Sequence, residues 1–167
     1  SKGYPQVGFP CQVLKKTLPI FSAPIIFIAF MSESSQPCQR SGILAGGNWI
    51  IDQVKIIDVY PKHEQLANIL DQYQGTGGSP YNVLLDLAKM GASFPLEGAG
   101  LVGQDTLGEY ILEDCRKNKI DSKLISISPG TSTSYTDVMT ERAGGRRTFF
   151  QYSGANSTWD GSDIDFS

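Results

Sequence analysis

Cysteine, histidine and charged residues are scarce in this chain of 167 residues. It contains 3 Cys, 1 His and only 19% charged residues. Three cysteines cannot all pair and none forms a CxxC motif, which excludes a disulfide-dense scaffold and predicts reduced thiols. The single histidine, His63, gives little support to a catalytic triad or a zinc site. The low charge excludes a nucleic-acid-binding arm, and the hydrophobic content of 40% excludes a disordered chain.

Acidic residues are absent from residues 1–30, which carry three lysines. All 17 Asp and Glu lie in residues 31–167 together with 11 Lys and Arg, a net charge of −6. This asymmetry indicates that the first thirty residues differ in origin or role from the rest.

Three interpretations of residues 1–30 are open. The apolar run 18–31 follows two lysines, which is the charge order of a secretory signal. Two prolines interrupt this run, however, no small-residue cleavage site follows it, and it is too short to span a bilayer. A natural N-terminal extension is the second interpretation. We favour a third, in which Met31 is the true start and residues 1–30 form a non-native or disordered leader.

Apolar segments in residues 31–167 alternate between strand-like and helix-like patterns. Residues 43–60 predict two consecutive strands, with Asp52 near the end of the first. Residues 66–73 fit a helical stripe, and residues 69–74 fit a short strand equally well. Further strands are predicted at 94–102, within 120–127, and as a hairpin of 133–140 and 148–152. This alternation predicts an α/β layered fold with a largely parallel sheet and some antiparallel ribbon.

Two helices are predicted between these strands. The first has Ser79 as N-cap, ends at Gly91, and carries a buried stripe of Val83, Leu84, Leu87 and Ala88. The second is capped by Asp105, with an apolar face of Leu107, Tyr110, Ile111 and Cys115.

The glycine-rich junction Gly75–Asn82, which leads into the first helix, is the strongest candidate for a ligand site. Glycines let a ligand approach the backbone, and a helix N-terminus presents free N–H groups. Asn82 can both donate and accept hydrogen bonds, which suits a ligand rich in hydroxyls. A plain turn before a well-capped helix remains the alternative. The junction is not a P-loop, because no Gly-Lys-Ser/Thr follows it.

Asp52 is a second candidate, because a carboxylate in an apolar strand is costly unless it has partners. Ligands of open α/β sheets bind at the carboxyl ends of strands, where an aspartate can accept hydrogen bonds from sugar hydroxyls. Asn48, four residues earlier, could serve the same pocket. An exposed residue at a strand end is the alternative.

Two further patterns receive weaker functional interpretations. Residues 98–103 read GAGLVG, a literal GxGxxG, but a dinucleotide site needs a helix to open within the motif. Here the central residues have a strand-like pattern, and the helix begins later. Arg142, Arg146 and Arg147 are interpreted as a solvated hairpin tip rather than a phosphate clamp.

Taken together, these motifs resemble the N-terminal half of the ribokinase-like (PfkB) family of carbohydrate and nucleoside kinases. The resemblance covers about residues 42–160. Its motifs, in the family's order, are Gly47–Asp52, Gly77–Asn82, Gly100–Gly108, Arg147–Phe150 and Gly154–Asn156. Leu84 departs from the small residue that the family prefers, and the spacing from Gly91 to Gly103 is slightly longer than usual.

The resemblance implies a ribokinase-like layered α/β fold with a mostly parallel central sheet and a small β lid, the C-terminal half being absent. The lid strands would span about residues 54–60 and 66–74. It further implies that Asn48, Asp52, Gly77, Gly78 and Asn82 bind the substrate.

The implied activity is ATP-dependent phosphorylation of a sugar, with ATP and Mg²⁺ as cofactors of the full-length protein. The family's Gly-Ala-Gly-Asp motif, which carries the catalytic base, and its Asn-x-x-Glu magnesium motif are absent from these residues. We therefore expect the base beyond Ser167 and no activity from this chain alone. A non-catalytic sugar- or nucleoside-binding module and an adenosine or nucleoside kinase are the alternatives.

The remaining expectations concern partners and location. The resemblance implies a small-molecule sugar or nucleoside as ligand, no nucleic acid and no membrane, and it is compatible with a homodimer through the β lid. It also implies a cytoplasmic location.

Overall fold

The computed structural model describes residues 27–29 and 41–165. It contains eight strands, two α-helices and one 3-10 helix within these residues. They are β1 (Phe27–Ala29), β2 (Ile43–Gly46), β3 (Ile50–Ile57), β4 (Ile69–Gly77), α1 (Ser79–Lys89), β5 (Leu96–Gly103), α2 (Thr106–Lys117), β6 (Asp121–Ser128), β7 (Tyr135–Glu141), β8 (Arg147–Tyr152) and the 3-10 helix Gly154–Thr158.

The strands form two sheets. The core sheet has the order β1-β2-β5-β6, in which β2, β5 and β6 are parallel and β1 is antiparallel to β2. The lid sheet has the order β4-β3-β7-β8, with β3 and β7 parallel and the two outer strands antiparallel. This arrangement confirms the predicted α/β class with a parallel sheet and antiparallel ribbons.

The main hydrophobic core lies between the core sheet and the two helices. Alternate residues of the sheet, such as Ala45 and Val102, pack there against Leu84 of α1 and Ile111 of α2. A smaller cluster of Leu44, Ala99 and Ile164, with Leu124 and Trp159, covers the opposite face. Because residues alternate between faces along a strand, β2, β5 and β6 each contribute to both clusters.

The lid sheet differs in extent from the lid that the resemblance implies. Its first two strands are Ile50–Ile57 and Ile69–Gly77, and β7 and β8 extend it to four strands. The helical alternative for residues 66–73 is wrong. Its stripe, Leu66, Ile69, Leu70 and Tyr73, is exposed throughout. A helix there would bury nothing, whereas β4 forms a ladder with β3.

Both helices form where the sequence predicts them, but the N-cap of α1 and one buried position on each helix differ from the prediction. Asp105 caps α2 as expected, its carboxylate accepting from the Gly108 N–H at 2.9 Å. Ser79 does not cap α1: Gly78 is the N-cap and no side chain bonds there. Val83 and Tyr110, both predicted to be buried, are exposed, because the buried stripes lie one or two positions away on each helix.

The GxGxxG residues 98–103 lie inside β5, so they are a core strand and not a helix-opening loop. The dinucleotide hypothesis is therefore wrong. Gly98 is required for packing, since a Cβ there would lie 2.5 Å from Cζ2 of Trp49. The first two glycines of the GxGxxG pattern are therefore explained by the Trp49 indole ring, which packs directly against the backbone of β5.

The expectation for a leader falls almost entirely outside the described residues. Within residues 1–40 only Phe27–Ala29 is described, and this segment pairs with β2. Met31 lies outside the described part of the chain. None of the helices in the described ranges is long and apolar enough to cross a membrane.

Candidate functional site

Asp52 is the third residue of β3 in the lid sheet, rather than the end of the first strand as predicted. Thr136 lies directly opposite on β7. Burial raises the pKa of Asp52, while the neighbouring Thr136 side chain and the positive charge of Arg147 partly offset that rise. The carboxylate therefore combines partial burial with free acceptor capacity, which suits the recognition of hydroxyl groups.

Gly77, at the end of β4, makes room for this carboxylate. Ile50 of β3 is directly opposite Gly77, so Asp52, two residues further along β3, is the diagonal neighbour of Gly77 on the same face of the sheet. A Cβ on residue 77 would lie 2.6 Å from the Asp52 Oδ1 atom. Only glycine is compatible with the observed position of Asp52.

Gly78 links the same point to α1. Its φ of +89° lies in the left-handed region that favours glycine. A Cβ there would overlap the backbone carbonyl of Asn48. The glycine pair therefore brings the backbone of Asn48 and the carboxylate of Asp52 together at the start of the helix.

Asn82 lies in the first turn of α1, with its backbone N–H bonded to the Gly78 carbonyl at 3.1 Å. Its side-chain Oδ1 accepts a hydrogen bond from the Thr76 hydroxyl at 2.7 Å. This bond orients the amide and leaves its NH₂ group as a donor for a ligand. Thr76, which the sequence analysis did not single out, is thus a supporting residue.

A buried asparagine holds this corner from the other side. The Asn156 amide accepts from the Trp49 N–H at 3.3 Å and donates to the Trp49 carbonyl at 3.0 Å. It therefore clamps the residue between Asn48 and the start of β3. The sequence indicates only a loop at the Gly-Ala-Asn motif. It does not predict the contact, because Asn156 and Trp49 are 107 positions apart.

The structure therefore brings all five predicted substrate residues to one junction between the lid sheet and α1: Asn48, Asp52, Gly77, Gly78 and Asn82. The chemistry available there is hydrogen bonding from a carboxylate and an amide. Residues 27–29 and 41–165 contain no group of three His, Cys, Asp or Glu side chains that could hold a metal ion.

Comparison with known proteins identifies the family. Residues 47–166, well over half of the chain, match the model of the pfkB family carbohydrate kinases. A search of curated proteins found no match.

Solved structures of the same fold include two ribokinases and a nucleoside kinase. A ribokinase from Thermotoga maritima has a TM-score of 0.64 at 20% identity, over 73% of this chain and 39% of that one. The Methanocaldococcus jannaschii nucleoside kinase gives 0.61 at 18%, over 68% and 37%. The Arabidopsis thaliana ribokinase, complexed with ribose and ATP, gives 0.57 at 19%, over 68% and 36%.

This chain thus spans between about a third and two fifths of the length of those structures. The family model and the fold agree with the order of motifs read from the sequence. The chain belongs to the pfkB family of carbohydrate kinases.

Proposed function

We propose that this chain forms the acceptor-binding part of a kinase that transfers the γ-phosphoryl group of ATP to a sugar hydroxyl. The observation that carries the proposal is the meeting of Asp52 with Gly77, beside Asn82 and the Asn48 backbone. A carboxylate and an amide at a glycine-lined corner are suited to the vicinal hydroxyls of a sugar.

The proposed work of these residues is positioning. Phosphoryl transfer relies mainly on alignment of the acceptor and on electrostatic stabilisation of the transferred group. Asp52 and Asn82 would hold the acceptor by its hydroxyls, and the lid sheet would exclude water from it. When bound, Mg-ATP supplies the phosphoryl group and neutralises its charge. The described residues contain no group of three His, Cys, Asp or Glu side chains that could hold a metal ion, and we derive no step through Mg-ATP.

The test is a substrate panel with the full-length protein. Ribose, fructose, other neutral sugars and adenosine are each offered with Mg-ATP, and ADP formation is measured. We expect turnover of at least one sugar and its loss by on the order of 100-fold or more in Asp52→Ala. Absence of turnover with every acceptor would contradict the proposal.

The isolated chain of 167 residues provides a second arm. We expect it to produce no phosphorylated sugar, since it lacks the Gly-Ala-Gly-Asp motif. A chain that binds sugar, within a full-length protein that never transfers phosphate, would support the non-catalytic module. Preferential turnover of adenosine would support the nucleoside kinase, the activity in the name of one structural neighbour.

The homodimer through the lid and the cytoplasmic location stay predictions. The dimer is supported by exposed apolar side chains on the lid face opposite Asp52: Ile69, Phe150 and Tyr152. Sedimentation of the full-length protein with and without Phe150→Ser tests it, and a monomeric wild type would contradict it.

A further inference from the structure

The first turn of α1 lacks the side-chain cap that secures the start of α2. In α2 the Asp105 carboxylate accepts a hydrogen bond from the Gly108 N–H at 2.9 Å. In α1 the N-cap is Gly78, no side chain bonds there, and the first turn contains no acidic residue. Helix ends open more readily than helix centres unless other contacts hold them. Because the first turn of α1 carries Asn82, another contact has to fix the position of that side chain.

Tyr81, the residue before Asn82, ties the first turn of α1 to α2. Its side chain is fully buried, and its hydroxyl donates a hydrogen bond to the Asp114 carboxylate at 2.7 Å. A hydrogen bond to an ionised carboxylate is roughly twice as strong as one between neutral groups. Burial raises the pKa of Tyr81 well above its usual value, and the hydrogen bond to Asp114 raises it further. The hydroxyl therefore remains protonated, and a donor, at neutral pH.

The acceptor of this bond, Asp114, is itself held by α2. The Asn118 amide donates to the Asp114 Oδ1 atom at 3.1 Å and to the Asp114 backbone carbonyl at 2.8 Å. The Oδ2 atom is the one that accepts from Tyr81. Since Asn118 fixes the carboxylate from within α2, the position of α2 determines where the Tyr81 hydroxyl lies.

The ring of Tyr81 contacts the other wall of the candidate site. Its centroid lies 5.0 Å from that of the Trp49 ring. Trp49 follows Asn48 in the chain, and its Nε1 donates to the Ala99 carbonyl at 2.8 Å. The Asn156 amide holds the Trp49 backbone as well. With a fixed indole against its ring and a fixed acceptor at its hydroxyl, the Tyr81 side chain has one well-defined position in a close-packed core.

We propose that Tyr81 is a positioning residue of the acceptor site, whose hydrogen bond to Asp114 holds the first turn of α1 so that the Asn82 amide stays in place for the acceptor. The inference rests on the proposed kinase function. In the present position of α1, the Asn82 Oδ1 atom accepts from the Thr76 hydroxyl at 2.7 Å. A shift of the first turn would break that bond and displace the NH₂ group that donates to the acceptor. Loss of the Tyr81 bond should therefore weaken acceptor binding and leave ATP binding unaffected.

The experiment measures the KM of ATP and, separately, the KM of the sugar with the highest turnover in the substrate panel, using the full-length enzyme. Tyr81→Phe removes the hydroxyl and keeps the ring, and it should raise the KM of the sugar about 5–10-fold with the KM of ATP unchanged. Asp114→Ala removes the same bond from the side of α2 and should have the same effect, so the test does not depend on the folding of one variant. Asp114→Asn, whose amide oxygen still accepts, should recover most of the wild-type KM.

Two further variants separate positioning from a purely structural role. Cys115→Ala removes another fully buried side chain of the same core, next to Asp114, and should lower the urea midpoint while leaving both KM values unchanged. Asn82→Ala removes the side chain through which Tyr81 is proposed to act. Adding Tyr81→Phe to Asn82→Ala should therefore raise the KM of the sugar no further, because two substitutions that disrupt one interaction are not additive.

The inference is overturned by an active Tyr81→Phe enzyme with an unchanged KM for the sugar, or by an equal rise in the KM of ATP. It is also overturned if Tyr81→Phe raises the KM of the sugar by the same factor with and without the Asn82 side chain, or if Cys115→Ala raises it equally. Each of these results leaves the kinase function standing. A wild-type enzyme that phosphorylates no acceptor overturns the kinase function and the inference together.

Discussion

The core sheet and the lid sheet bury their side chains to very different extents. The core sheet packs two helices on one face and the segment around Trp159 on the other. In the lid sheet, β8 has only Thr148 partly covered, and β4 is exposed from Ile69 to Gln74. The core sheet therefore holds most of the buried apolar surface, and the lid is maintained largely by its strand ladders.

This contrast separates stability from ligand binding. Segments with few buried apolar contacts open most readily, and binding elements are drawn from that end of the stability range. The candidate site lies at the boundary between the buried core and the exposed lid sheet, because Trp49 is in the core cluster and Asp52, three residues later, is in the lid sheet. We expect substitutions on the core side of this junction to lower the free energy of unfolding, and substitutions on the lid side to weaken sugar binding.

The largest effect is expected for Trp49→Ala, compared with Phe149→Ala. Trp49 is fully buried, donates from Nε1 to the Ala99 carbonyl at 2.8 Å and packs 5.0 Å from the Tyr81 ring. Its removal leaves a large cavity and should cost about 3–5 kcal/mol of unfolding free energy. Phe149 is 57% exposed, and its removal should cost about 1 kcal/mol or less. Urea denaturation measures both, and similar losses would contradict the contrast.

The second effect is on sugar binding and compares Gly77→Ala with Gly75→Ala. A Cβ on residue 77 would meet the Asp52 carboxylate at 2.6 Å, whereas nothing lies within 4 Å of one on residue 75. Displacing the carboxylate by about 1 Å should raise the KM for the sugar roughly 100-fold. Gly75→Ala, in the position directly opposite Asp52, is the matched control and should leave the KM unchanged. An equal effect of both alanines would disprove the steric explanation.

Much of the junction could be predicted because its signals are local. The Gly-Gly pair before α1 and the capping Asp105 each act within a few residues, and the order of the motifs indicates the family. The sequence pattern predicts the buried face of each helix less accurately. It places Val83 in the buried stripe of α1, which Tyr81 and Leu85 occupy in the structure. An exposed apolar residue next to the buried stripe cannot be distinguished in the sequence from a buried one within it. The sequence pattern alone therefore does not determine which face of the helix is turned toward the core.

The contacts that the sequence did not reveal depend on long-range pairing. Thr136 lies beside Asp52 only because β7 pairs in parallel with β3. Arg147 shares the face of the lid sheet that carries Asp52 because the β7–β8 register places it opposite Thr140, and a shift of one residue would turn it to the other face. The Asn156 clamp on Trp49 likewise requires the finished fold. Local composition carries no information about these registers.

A smaller effect concerns the pH dependence of the lid. Because the pKa of Asp52 is raised above 3.8, the folded protein binds more protons than the unfolded chain between 3.8 and the raised value. Stability therefore falls as pH increases through that window. Asp52→Asn should make the protein more stable at pH 7, with no advantage below pH 3.8, while abolishing sugar binding. Urea midpoints at pH 7 and pH 3.5 check the stability, and a variant less stable at pH 7 would refute it.

The same carboxylate should give sugar binding the opposite dependence on pH. Hydroxyl groups donate to the ionised form, so affinity should decline as the pH falls through the raised pKa of Asp52. Calorimetric titration of the full-length enzyme with its sugar measures this decline. An affinity that stays constant from pH 7 to pH 4 would show that the ionised carboxylate does not bind the sugar.

The smallest effect is expected for Thr140→Val, compared with Thr133→Val. The Thr140 hydroxyl oxygen is buried without a hydrogen-bond partner in the described part of the chain. The buried Thr133 hydroxyl instead donates to Asp105 at 2.6 Å and accepts from the Gly103 N–H at 2.9 Å. Removing an unsatisfied hydroxyl should leave the unfolding free energy unchanged or raise it by up to about 1 kcal/mol, whereas removing the bonded one should cost about 1–3 kcal/mol. A clear loss in Thr140→Val would mean that this hydroxyl is bonded in solution, and the end of the lid sheet farther from α1 would then be more polar than its strand register indicates.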